Sequence, residues 1–205
     1  MPQPAPASPA SRDAQREEML EQAALILARD GMAGLSLRKL AEACGTSTMA
    51  VYSLFGGKDG LLDALYLATM EGLGHALQAV PPNPDPMIWL GDLGQAYRAY
   101  SLAHPALYGI ITGASLAHGR VEASSLKVLS GYQTLKRAVE RLLAERDTWR
   151  RYTPELVADA LWVVVHGVVS LELNGHFASP DAAEAVLRHN STAVVGHMLA
   201  EMERA

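Results

Sequence analysis

The sequence predicts an all-α protein of about nine helices. Apolar residues recur at three- and four-residue steps through most of the chain. Pro and Gly fall at intervals that cut it into segments of helical length. Short alternating β-branched runs, the signature of strands, are few. With 205 residues and 49% hydrophobic content, the chain can bury one sizeable core or two small domains sharing one.

Residues 1–12, rich in Pro, Ala and Ser, offer nothing to a core and are expected to form a disordered tail. A first helix is predicted from Asp13 to Arg29, with Leu20, Ala23, Ala24 and Leu27 inward and Gly31 ending it. Ser36 to Phe55 then reads as two short helices around a tight turn. Leu37, Leu40, Ala41 and Cys44 share one face, and Ser36 stands where an N-cap belongs. Gly45 supplies a left-handed residue at the first helix's end. Thr46 or Ser47 can cap the second helix, whose inward residues would be Ala50 or Val51, Leu54 and Phe55. This is the layout of a helix-turn-helix, whose second helix enters the DNA major groove.

A fourth helix is predicted from about Asp59 to Gln78. Val80 to Pro86 holds four prolines and marks the change from reading head to body. Five helices follow: Met87–Ala103, Pro105–Ile111, Arg120–Asp147, Pro154–Asn174 and a ninth from Ser179-Pro180-Asp181 to near Glu203. The eighth is apolar nearly all round and needs partners on several sides. Together with the ninth it is the expected homodimer element, a four-helix bundle built from two subunits.

The segment from about Asp13 to Leu73 resembles the DNA-binding domain of the TetR family of transcriptional regulators. Ala23, Ala24, Leu27 and Gly31 carry the resemblance, followed by Leu35 to Ala41, Gly45, Val51, Tyr52 and Phe55. The run Tyr52, Phe55, Lys58, Leu61, Leu62 is its most specific part. Further on, Ala103-His104-Pro105-Ala106-Leu107-Tyr108 and Trp162-x-x-x-His166-Gly167 resemble the WHG-type regulatory domain of part of that family. The two resemblances imply a DNA-binding domain over 13–73, with its motif at 36–55, and a regulatory and dimerisation domain over 74–205.

The expected DNA-facing residues are Thr46, Ser47, Thr48, Met49, Tyr52 and Ser53, with Ser36, Arg38 and Lys58 at neighbouring helix starts. Hydroxyls and amides at helix N-termini suit phosphates and base edges. Met49 can meet a thymine methyl. The resemblance assigns the Tyr52 hydroxyl and Lys58 to the DNA backbone. The recognition helix holds no Arg, Lys, Asn or Gln, so shape and water-mediated contacts are expected to carry much of the specificity. Dimer symmetry implies a palindromic operator on double-stranded DNA.

The resemblance also implies a small-molecule effector in the body that releases DNA, making the protein a ligand-responsive repressor. The candidates to contact it are Tyr100, His104, Tyr108, Trp162 and His166. His104 and His166 could instead be structural, at a helix start and a helix crossing.

Other classes find less support. The net charge of −5 argues against bulk coating of nucleic acid, and from Arg12 to Gly60 six basic side chains face seven acidic ones. One cysteine excludes an intrachain disulfide. Leu161 to Leu173, the longest apolar stretch, falls short of the roughly 20 residues that span a bilayer. No secretory signal opens the chain, so a cytoplasmic protein with no membrane partner is expected. The seven histidines show no metal-ligand spacing, and no cofactor is implied. A helical-bundle enzyme would need a nucleophile elbow, P-loop or Glu-x-x-His pair, and none is present. A TetR-like protein acting through protein contacts is the other alternative.

Overall fold

The computed structural model describes residues 9–112, 130–144 and 152–202. The described residues form nine helices: α1 Pro9–Gly34, α2 Leu37–Ala43, α3 Thr48–Phe55, α4 Lys58–Gln78, α5 Pro86–Ala103, α6 Pro105–Thr112, α7 Ser130–Ala144, α8 Pro154–Leu173 and α9 Pro180–Met202. Contacts divide the chain into two compact units. One comprises 1–69 and 106–120, the other 70–105 and 121–205.

In the first unit α1, α2 and α3 pack against one another. Their core includes Met19, Ala23, Leu27, Leu35, Leu40, Val51 and Leu61, all nearly or fully buried. Helix α1 departs from expectation at its start. It begins at Pro9, inside the expected tail, because proline's fixed φ suits a first helical turn. Gly31, with a non-helical backbone (φ 66°, ψ −174°), breaks the helix where the sequence places its end, and a short further turn follows to Gly34. The Asp30 carboxylate lies at this kink and accepts from Arg29 Nε at 3.1 Å and Lys39 Nζ at 2.5 Å, joining α1 to α2. Those hydrogen bonds, Arg29's first, hold the Asp30 carboxyl down at about 2.

The turn between α3 and α4 is tight. A Cβ on Gly60 would lie 1.8 Å from the Phe55 carbonyl oxygen, so only glycine fits.

In the second unit α8 packs against α5, α7 and α9, and α5 also meets α7 and α9. The Thr153 hydroxyl caps α8 by accepting from Leu156 N–H, and the Asp85 carboxylate caps α5 by accepting from Met87 N–H. Gly74 on α4 faces Ser130 and Gly131 at the start of α7, a crossing too close for larger residues at Gly74. The expected seventh helix ran from Arg120 to Asp147. Residues 120–129 and 145–147 of that span lie outside the described residues, and 130–144 is helical.

A part-buried ion pair fastens α5 to α8. Arg98 Nε donates to Glu172 Oε2 at 2.7 Å and Arg98 Nη2 to Oε1 at 2.5 Å, with both side chains about 10% exposed. The same Nη2 donates to the Pro180 carbonyl at 3.0 Å, tying in the start of α9. These contacts, Glu172's first, raise the Arg98 pKa. Removing Arg98 strands the Glu172 carboxylate, and removing Glu172 leaves Arg98 only the more distant Glu184, at 3.8 Å. Arg98→Ala or Glu172→Ala should therefore each cost roughly 3 kcal/mol. The double variant Arg98→Leu/Glu172→Leu should lose less than either, as urea denaturation will show.

Candidate nucleic-acid interface and interior cavity

Two local devices build the reading helix. The Ser36 hydroxyl accepts from Lys39 N–H at 3.2 Å, starting α2, and the Ser47 hydroxyl accepts from Ala50 N–H at 3.2 Å, starting α3. Between them Gly45 takes φ 60°, where a side chain would be strained. Of the two cap candidates for α3, Ser47 is the one used. Gly56, at φ 72°, ends α3.

On α3, Val51 is fully buried and Phe55 is 8% exposed. The Arg16 guanidinium stands over the Phe55 ring, 5.6 Å from its centroid. With that face turned inward, the other faces solvent. Met49 is 75% exposed and Tyr52 54%. Ser47, Thr48 and Ser53 are exposed beside them, as are Ser36, Arg38 and Lys58, while Thr46 is half-buried. The Tyr52 hydroxyl lies against Gly57 at the entry to α4, one residue from Lys58. Eight of the nine residues expected to face DNA are thus exposed. They combine hydroxyls, one large apolar side chain and two cations, with no carboxylate among them.

The second unit holds a cavity of about 280 Å³ bounded by α5, α7, α8 and α9. Its apolar wall includes Leu90, Leu93, Tyr97, Leu161, Trp162 and Leu187. Its polar groups are Asp92, Gln95, Glu184, Arg188, Ser191 and Thr192. Of the five expected ligand residues only Trp162 lines this cavity. Tyr97 stands edge-on to Trp162, with ring centroids 5.3 Å apart, and lines it too.

The other four sit elsewhere. His166 lies behind Tyr97, its Nδ1 2.7 Å from the Tyr97 hydroxyl. Tyr100 packs its hydroxyl on Gly72, and its ring lies 4.6 Å from that of His104. His104 is exposed and ends α5. Tyr108 is buried on α6, a helix that belongs to the first unit. The polar face of α9 was not singled out from the sequence. Its signal is there, because Glu184, Arg188, Ser191 and Thr192 recur at helical steps around buried Leu187.

A three-helix unit with an exposed, capped helix-turn-helix defines a DNA-binding regulator of transcription. The comparisons agree. Residues 19–65 match the bacterial regulatory proteins of the tetR family, and residues 90–194 match the tetracyclin repressor-like C-terminal domain. The chain belongs to the TetR family of transcriptional regulators. A protein of unknown function from a Rhodococcus species shares 25% identity, with 94% of this chain and 97% of that one covered at a TM-score of 0.72. The fold is also shared with the TetR family regulator PfmR from Thermus thermophilus, at 22% identity, 86% and 96% coverage and TM-score 0.61. The fatty acid degradation regulator FadR from Bacillus halodurans is 14% identical, with 93% and 96% coverage and TM-score 0.69. No curated protein sequence matches the chain.

Burial pushes the His166 imidazole below its ordinary value of 6.5. The folded state therefore favours the neutral ring, which can accept a hydrogen bond from the Tyr97 hydroxyl on Nδ1 when its own proton sits on Nε2. Because the folded pKa lies below the unfolded one, this contribution is complete above about pH 6.5 and is lost as pH falls. Unfolding free energy should drop on acidification from about pH 7 to about pH 5. The drop should be smaller in His166→Gln, as denaturation curves at each pH will reveal.

Proposed function

We propose that the protein is a homodimeric repressor that binds a palindromic operator and lets go when a small molecule enters the second unit. The observation that carries this reading is the outward face of α3, where Met49 and Tyr52 stand in solvent beside Ser47, Thr48 and Ser53. Ser36, Arg38, Thr46, Tyr52 and Lys58 would position the helix on phosphates, and Met49 would meet thymine methyl groups. With no bidentate base reader on α3, groove shape would set much of the operator preference.

The α8 and α9 pair would form the dimer interface. Helix α8 has 20 residues, and its most apolar window of 18 has a mean hydropathy of 1.8, enough by length and composition to cross a membrane, although the apolar stretch Leu161 to Leu173 alone is too short. A third of its most apolar window is buried. Leu156, Val163 and Leu171 stay exposed at seven- and eight-residue steps, with Val163 at 69%. That stripe, unusual on a soluble surface, suits a second copy of the same chain. The cavity around Tyr97 and Trp162 would take the effector, an amphipathic molecule with its polar end toward α9. By this reading there is no catalytic step, and the protein works in the cytoplasm.

Titration of fluorescent upstream DNA tests the reading head. Lys58→Ala should weaken binding by a similar factor on every operator variant and lower the salt slope by about 1. Tyr52→Phe should compound the loss. Unchanged affinity in the double variant would overturn the assignment. Val163→Glu should turn the dimer into a folded monomer in light scattering, with operator affinity lost in parallel. A dimer that survives the substitution would contradict the α8 interface.

A further inference from the structure

A second recess in the same unit lies outside this reading. It is an open groove of about 690 Å³ walled by Gln78, Val80 and Pro82 after α4, Trp89 on α5, and Thr134, Arg137 and Arg141 on α7. Arg137 and Arg141 are one helical turn apart and both exposed. Like charges at that spacing repel. Arg137 donates to the Thr134 hydroxyl at 3.0 Å, and Arg141 stands over the Trp89 ring at 5.3 Å. Neither has a carboxylate partner among the described residues, although the chain carries 22 acidic side chains against 17 basic ones. The one carboxylate in the groove wall, Glu140, turns to Lys136 at 3.7 Å.

A second, independent feature marks the same place. Trp89 is 5% exposed, and its indole N–H is the one buried side-chain nitrogen or oxygen among the described residues with no hydrogen-bond partner. Buried donors normally find acceptors. Two guanidinium forks and an unsatisfied N–H form a set of donors that meets no anionic acceptor among the described residues. The groove supplies apolar surface beside them at Val80, Pro82 and Trp89.

We propose that this groove is a second ligand site, taking a small anion, a carboxylate or phosphoryl group, between Arg137 and Arg141 with its body against Trp89. Guanidinium geometry matches either group in a bidentate pair. The bound charge removes the repulsion between the two arginines. A tilt of the Trp89 ring, whose N–H is sealed from solvent, offers the donor to the anion's remaining oxygen.

The indole N–H resonance is the readout. The chain has three tryptophans, and Trp89→Phe identifies the signal of Trp89 in a proton–nitrogen correlation spectrum. Sodium benzoate and sodium phosphate are titrated separately against sodium chloride at constant pH and ionic strength. The Trp89 signal should move saturably with at least one of them and not with chloride. Arg137→Gln/Arg141→Gln should weaken that binding at least tenfold while circular dichroism and Tm hold. Arg137→Lys/Arg141→Lys, which keeps charge without the fork, should weaken it less and serves if the glutamine variant unfolds. A response to benzoate alone assigns carboxylates with an apolar body, one to phosphate alone assigns phosphoryl groups, and one to both assigns an unselective anion site. A Trp89 signal that follows neither anion beyond chloride, or that responds equally without the arginines, overturns the proposal. No DNA enters the experiment, so its result is separate from that of the operator titrations.

Discussion

An eight-residue helix does not hold together in water by itself. Helix α3 persists because Val51 and Phe55 are driven out of water against α1 and α2. That burial is the constraint behind the reading head. It fixes the rotation of α3 about its axis and thereby decides that Met49 and Tyr52 face solvent. The caps at Ser36 and Ser47, the left-handed Gly45 and the close approach at Gly60 set where the helices start, turn and end. None of them would orient α3 without the two apolar anchors.

The second unit answers to a different constraint. Helix α8 carries more apolar surface than the core of its own unit covers. Leu161, Val165 and Val169 are buried inside, while Leu156, Val163 and Leu171 remain outside. A charged bolt crosses this apolar setting, with Arg98 clasping Glu172 and the Pro180 carbonyl. Near that bolt the cavity sets four polar side chains of α9 (Glu184, Arg188, Ser191 and Thr192) and two of α5 (Asp92 and Gln95) beside apolar residues of α5, α8 and α9.

The helix-turn-helix was legible in the sequence because its determinants are local. Caps act over a single turn, glycine acts on its own φ, and the helical period of about 3.6 residues reveals which side chains go in. Tyr52 and Lys58 stand out through the family resemblance, and both emerge exposed next to the turn. Composition misled at residues 9–12, where proline at a first helical turn outweighs the low hydrophobicity of the stretch. Gly31 is a stop in the sequence, and its left-handed backbone does interrupt the helix before a last turn to Gly34. The cavity was not legible, since it depends on which faces of α5, α8 and α9 meet. Tyr97, Tyr100 and His104 all punctuate α5, but its rotation turns Tyr97 to the cavity, sets Tyr100 on Gly72 and leaves His104 in solvent. No one-dimensional pattern separates those outcomes.

The central claim is that α3 is the surface the protein lays into DNA, once per subunit of a symmetric pair. Hydroxyl-radical footprinting on the chain's own upstream DNA addresses it directly. The account predicts two protected patches on one face of the duplex, related by a local palindrome and centred about one helical turn or a multiple of it apart. A footprint in a single patch, or uniform protection without a boundary, would contradict it.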